Sequence, residues 1–244
     1  MGSAPKNIIV TGGTRGLGLG IAGRLRDAGY TAIALARSES KEFSAAPGPL
    51  HFRKCDLAEI AAIPNLVKAI RAEFGPIYGL VNNAGIGTAG VLANMRAGDI
   101  ERLVRLNTVS PMVLTKHVVR AMMVDSAKGD GGRIVNISSI VASTGFSGLS
   151  VYAATKASLI GFTKSLAREV GALGITVNAV APGFVDTAMT EGMEDGDRER
   201  VRRRSPLGRL AEISDVADAV EFLVSDRARN ITGTVLTVDA GSTA

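Results

Sequence analysis

The stretch "NIIVTGGTRGLGLGIAGRLRDAG", residues 7–29, decides how the rest of the chain is read. An apolar run, Ile8-Ile9-Val10, meets a glycine-rich turn and then apolar residues at helical spacing that stop at Gly29. Consecutive apolar residues, rather than alternating ones, mark a strand covered on both faces. Between strand and helix, Gly12, Gly16 and Gly18 leave bare backbone where the helix begins. The free N–H groups and dipole of a helix start favour negative charge, so this turn suits a pyrophosphate. Its spacing is T-G-x-x-x-G-x-G, not the general G-x-G-x-x-G fingerprint. A glycine cluster alone is only a tight turn; its place after the first strand gives it weight.

The alternation continues outward. "TAIALAR" and "LHFRKCD" read as the second and third strands, and a helix around residues 60–73 precedes "IYGLVNNAG", the fourth. A long helix from about Asp99 to Val124 leads through "DSAKGDGG" into "RIVNISS", the fifth. The helix carrying "VYAATKASLIGFTKSLAREVGALG" precedes "ITVNAVAPG", the sixth, and "TVLTVDAG" supplies the last strand. Repeated strand–helix order predicts right-handed crossovers and an α/β, doubly wound parallel sheet with helices on both faces. Residues 1–244 read as one domain, with 184–210 as a mobile excursion that serves as a substrate lid. Ligands of such sheets bind beyond the carboxyl ends of the strands.

The end of the second strand selects the nucleotide. An NAD site ordinarily places a carboxylate there for the ribose 2′-hydroxyl, whereas a 2′-phosphate calls for arginine. Here the chain reads Leu35-Ala36-Arg37-Ser38, with no carboxylate before Glu39, and Arg15 sits inside the glycine turn. Two guanidiniums offer charge-assisted bonds that an uncharged hydroxyl exploits poorly. The expected cofactor is NADP(H).

Composition narrows the remaining classes. Hydrophobic residues make up 46% of the chain, yet no apolar run is long enough to span a membrane. The N-terminus has no signal-peptide pattern, and Cys55 is the only cysteine, so a reducing cytoplasm is the expected setting. His51, His117 and Cys55 are too scattered for a zinc site. The net charge is +5, densest in "RERVRRRS", residues 198–205. That stretch lacks the aromatic platforms or reading helix of a nucleic-acid site, so anionic small molecules or an acidic protein are the better partners.

The ordered set "TGGTRGLG" (11–18), "CDL" (55–57), "NNAG" (82–85), Asn107, "ISS" (137–139), "YAATK" (152–156) and "PG" (182–183) resembles the classical short-chain dehydrogenases/reductases along essentially the whole chain. The resemblance implies a Rossmann-type sheet of seven strands and nicotinamide-dependent carbonyl/alcohol chemistry. Carried over residue by residue, it makes Ser139, Tyr152 and Lys156 the catalytic trio, with Asn107 as the fourth. The family's serine lies thirteen residues before the tyrosine, which selects Ser139 over Ser138. By the same resemblance, Gly12, Thr14, Arg15, Gly16, Leu17 and Gly18 cradle the cofactor with Arg37, and Asp56 and Leu57 border the adenine. Asn83, Ala84 and Gly85 pass along the ribose and nicotinamide side, and Pro182, Gly183, Val185 and Thr187 meet the nicotinamide and its phosphates.

Residues four apart on a helix share a face, so Lys156 is expected to lower the pKa of Tyr152 towards the range useful for proton transfer. Ser139 is expected to orient the substrate oxygen. Lys156 would also grip the ribose hydroxyls, and Asn107 would hold a water linking the lysine to solvent. Within the family, "GITVNAVAPGFVDTAMT" and "SPLGRL" look most like 3-oxoacyl-acyl-carrier-protein reductases, which implies a 3-oxoacyl thioester substrate, an acidic acyl carrier protein as partner and a homotetramer. One position that usually carries a basic docking residue is Leu173 here, and the other docking region holds Lys128 beside two aspartates. The alternatives are another ketone or secondary alcohol and, more remotely, a non-catalytic NADP-binding regulator.

Overall fold

The computed structural model describes residues 6–125, 131–185, 199 and 202–244. Seven parallel strands form one sheet: β1 (Asn7–Thr11), β2 (Thr31–Ala36), β3 (His51–Lys54), β4 (Ile77–Asn82), β5 (Gly132–Ile137), β6 (Ile175–Pro182) and β7 (Val235–Val238). Their order across the sheet is β3-β2-β1-β4-β5-β6-β7. Chain direction reverses its progress between β1 and β4, and that switch point opens a crevice at the strands' carboxyl ends.

Apolar runs become the strands because both faces are covered. Helices α1 (Gly16–Asp27) and α8 (Ile213–Val224) pack on one face, where Ile8, Val10, Ile21, Leu25 and Val220 are fully buried. On the other face lie α3 (Ile63–Phe74), α5 (Ser110–Asp125) and α7 (Ser150–Val170), which close over Ile9, Leu80, Ile134 and Val177. Three shorter helices lie between these elements: α2 (Lys41–Ser44), α4 (Ala97–Val104) and α6 (Val141–Thr144). Two of them, α2 and α6, fall between the elements read from the sequence; four residues are too few for a helical period to register. None of the described helices is long and apolar enough to cross a membrane.

A buried amide ladder ties this second face to the sheet. Asn82 and Asn136 are register partners on β4 and β5, and Asn82 Nδ2 donates to Asn136 Oδ1 at 2.8 Å. Asn82 also donates to Thr115 of α5 at 2.9 Å, and Asn136 to Thr163 of α7 at 2.8 Å. Buried polar groups are costly unless bonded, so this ladder holds α7, which carries the candidate catalytic pair, in one register.

Candidate active site

The glycine turn is stapled on three sides. Gly12 N–H donates to Leu35 O at 2.7 Å, while Thr14 Oγ1 donates to Ser38 O and Ser40 Oγ returns to Thr14 O at 2.5 Å. A side chain on Gly18 would overlap the carbonyl oxygen of Gly12, so only glycine allows helix α1 to start so near the turn. Gly16, at φ +50°, has nothing within 4 Å of where a Cβ would stand, which leaves the mouth of the turn open. Leu17 is half-buried against the core behind it. No side chain caps α1, and its first turn carries no carboxylate, so its free N–H groups remain available to an anion. Arg15 and Arg37 are exposed and form no ion pair among the described residues. An open glycine cradle with two exposed arginines that form no ion pair among the described residues fits a dinucleotide with a 2′-phosphate.

Thr11 is a residue the sequence reading missed. Its hydroxyl accepts from the N–H groups of Asn83 and Ala84, each at 2.8 Å, and Asn83 Nδ2 donates to Thr11 O at 2.9 Å. The ends of β1 and β4 are thereby sewn together at the switch point. Just after β3, Asp56 is exposed and accepts from Ala58 N–H at 2.9 Å, and Leu57 is buried beside it. Burial pushes the neighbouring Cys55 thiol up to about 11, which leaves it unreactive at neutral pH. Pro182 ends β6. Gly183 packs so tightly on Asp239 that a Cβ would lie 2.7 Å from that residue's Cβ, and Val185 forms a bridge to Ala211. Thr187 and Lys128 lie outside the described residues, as does most of the 184–210 segment.

Gly85 brings the catalytic candidates together. A Cβ there would stand 3.2 Å from Asn107 Oδ1 and 3.5 Å from Lys156 Nζ. Asn107 sits in a π turn, Arg105–Val109, that interrupts what the sequence pattern reads as one long helix. Such widened turns cluster at functional sites. The Asn107 amide ties down the loop after β4: Oδ1 accepts from Ile86 N–H at 2.9 Å, and Nδ2 donates to Ile86 O at 2.8 Å and Thr155 Oγ1 at 3.2 Å. One acceptor position of Oδ1 is left over for a further donor. Thr155, also missed in the sequence, passes the link on by donating to Tyr152 O at 2.7 Å.

The two serines divide their work. Ser138 Oγ donates to Lys156 O at 2.9 Å and fixes that turn of α7, whereas Ser139 Oγ accepts from Val141 N–H at 3.4 Å and lies near enough to the Tyr152 phenol to favour its ionised form. Lys156 is buried, donates to Ile137 O at 2.8 Å and lies 5.8 Å from the centre of the Tyr152 ring. The expected depression of the phenol's pKa is not what this arrangement produces. Burial raises the pKa of Tyr152, and the nearby Ser139 hydroxyl offsets only part of the rise. The amine moves instead: burial pushes Lys156 down to about 8, so it remains largely cationic at neutral pH.

A sheet of this order, a glycine cradle and a hydroxyl–phenol–amine cluster at the strand ends define a nicotinamide-dependent oxidoreductase architecture. The family model described as "Enoyl-(Acyl carrier protein) reductase" matches residues 12–243, and the chain belongs to the short-chain dehydrogenase/reductase family. It is 42% identical over 241 residues to the 3-oxoacyl-[acyl-carrier-protein] reductase FabG of Escherichia coli (strain K12), covering 97% of this chain and 96% of that protein. The FabG of Haemophilus influenzae is 43% identical over 239 residues, covering 97% of both chains. A solved structure of a variant actinorhodin polyketide ketoreductase with NADPH superposes with a TM-score of 0.90 at 34% identity, covering 99% of each chain.

Proposed function

We propose that the protein reduces the ketone of a 3-oxoacyl thioester, carried on coenzyme A or an acyl carrier protein, with NADPH. The observation that carries this reading is the Ser139–Tyr152 hydroxyl pair at the end of β5 with a buried amine behind it. The bound cofactor supplies the hydride. Tyr152, kept protonated at neutral pH by its raised pKa, gives its proton to the carbonyl oxygen as negative charge develops there. Ser139 donates a hydrogen bond to the same oxygen. Lys156 supplies the positive charge that steadies the resulting phenolate. Arg15 and Arg37 bind the 2′-phosphate, and the N-terminus of α1 takes the pyrophosphate. This chemistry suits a C=O bond, since both hydroxyls serve one oxygen, and it agrees with the 3-oxoacyl reductases among the relatives.

One observation favours a second reading, a ketone not delivered by a carrier protein. Leu173 lies in a short 3₁₀ turn and packs against the core, so it presents no docking charge. Of the arginines at 202–204, Arg202 and Arg203 pair with Glu199, leaving Arg204 without an ion pair among the described residues. The apolar side chains of Val104, Val109, Met123 and Val124, exposed along α4, the π turn and α5, fit a subunit contact in a cytoplasmic homotetramer; light scattering tests that mass.

NADPH oxidation with acetoacetyl-coenzyme A, crotonyl-coenzyme A and a panel of plain ketones tests the reading. Reduction of the acetoacetyl thioester with NADPH preferred over NADH is expected. Turnover of crotonyl thioester alone would move the reaction to a C=C bond, and turnover of plain ketones alone would remove the thioester.

A further inference from the structure

The segment between Ser139 and Tyr152 carries one large residue that the core does not use. Phe146 is 51% exposed, between Gly145 at φ +68° and Gly148 at φ +78°. Leu149 N–H bonds Phe146 O at 3.1 Å and closes the turn. The ring is nonetheless held in place: it meets Phe184, from the loop after β6, edge to face with centres 5.8 Å apart. Gly148 O accepts from Gly90 N–H at 2.9 Å, so the loop after β4 joins the same rim and brings exposed Val91 and Leu92. Three loops from adjacent strands thus converge on an apolar rim, and its Phe146 loop is the segment that joins Ser139 to Tyr152.

We propose that Phe146, backed by Phe184, is a specificity-determining residue that packs against the apolar acyl tail of the substrate and selects long or bulky tails over acetoacetyl. This inference rests on the thioester reading above. The pantetheine arm of a thioester is rich in amides, whereas the tail beyond the ketone is hydrocarbon; an aromatic rim matches the tail. Each methylene buried is worth about fourfold in affinity, and a ring covering one side of a chain captures part of that.

The test compares kcat/KM for acetoacetyl- and 3-oxooctanoyl-coenzyme A with NADPH in the wild type, Phe146→Ala and Phe146→Leu. The expected wild-type preference for the longer tail is roughly fifteenfold, four methylenes being half covered. Phe146→Ala should lose that preference while keeping the acetoacetyl rate, and Phe146→Leu should retain part of it. No preference in the wild type, or the same preference in Phe146→Ala, would overturn the inference while leaving the thioester reading intact. A changed subunit mass in Phe146→Ala, with the preference lost, would also overturn it by assigning the ring to an interface. Failure to reduce either thioester would remove the thioester reading, and this inference with it.

Discussion

Two of the three tyrosines sit beside a lysine, and the closer pair is not the catalytic candidate. Lys6 Nζ lies 4.4 Å from the centre of the Tyr78 ring, nearer than Lys156 lies to Tyr152 at 5.8 Å. Yet the Tyr78 hydroxyl donates to Val224 O at 3.0 Å, and its ring is stacked on Tyr30. Lys6 in turn is paired with Asp226. At Tyr152 the nearest group acting on the phenol is another hydroxyl, Ser139, on a loop at the strand ends, and the amine donates to a carbonyl and forms no ion pair among the described residues. An amine near a phenol does not make a proton donor. What matters is whether the hydroxyl ends on a backbone carbonyl or on a group that can share a substrate oxygen.

The sharpest way to break this contrast is to remove each hydroxyl in turn. Tyr152→Phe should lower kcat by about a thousandfold, within the range of general acid catalysis, with NADPH affinity largely kept in a direct binding titration. Retained turnover would end the mechanism. A smaller effect separates the cofactor's two ends: Arg37→Ala should raise KM for NADPH about tenfold, by loss of one charge-assisted contact, and leave KM for NADH unchanged. Equal losses with both cofactors would place Arg37 away from the 2′-phosphate.

The amine gives the contrast a pH dependence. Lys156 is cationic below about 8, so a step that needs its charge is at full rate there and falls as pH rises through that value. The pH profile of kcat/KM for NADPH, which reports groups of the free enzyme, should show this limb in the wild type and lack it in Lys156→Met. The smallest effect belongs to the structural tyrosine. Tyr78→Phe should leave kcat unchanged and cost about 1 kcal/mol for one buried hydrogen bond, or roughly 2–4 °C in Tm.

Much of this was legible in the sequence, for physical reasons. Parallel strands covered on both faces announce themselves as apolar runs, and "NIIV" and "ITVNAV" need no partner to be recognised. The glycine turn is equally local, because the close approach of Gly18 to Gly12 excludes any other residue. The π turn at Asn107 left no mark, since its widening depends on Ile86 across the site rather than on its own residues. Thr11, Ser138 and Thr155 act on groups distant in the chain, so their roles appear only when strand ends and helix meet. The pKa shifts reversed expectation because spacing on α7 gives proximity but says nothing of burial. Desolvation acts on both members of the pair, raising the phenol and lowering the amine.

That reversal is open to direct observation in the cofactor-free protein. With only three tyrosines in the chain, a ¹³Cζ-tyrosine NMR titration resolves each phenol, and Tyr152→Phe assigns the signal. The Tyr152 resonance should still be more neutral than ionised at pH 10.0, the ordinary midpoint of the group. A midpoint below 10.0 would mean that the neighbouring charge outweighs burial, and would contradict a donor that holds its proton until the substrate oxygen takes it.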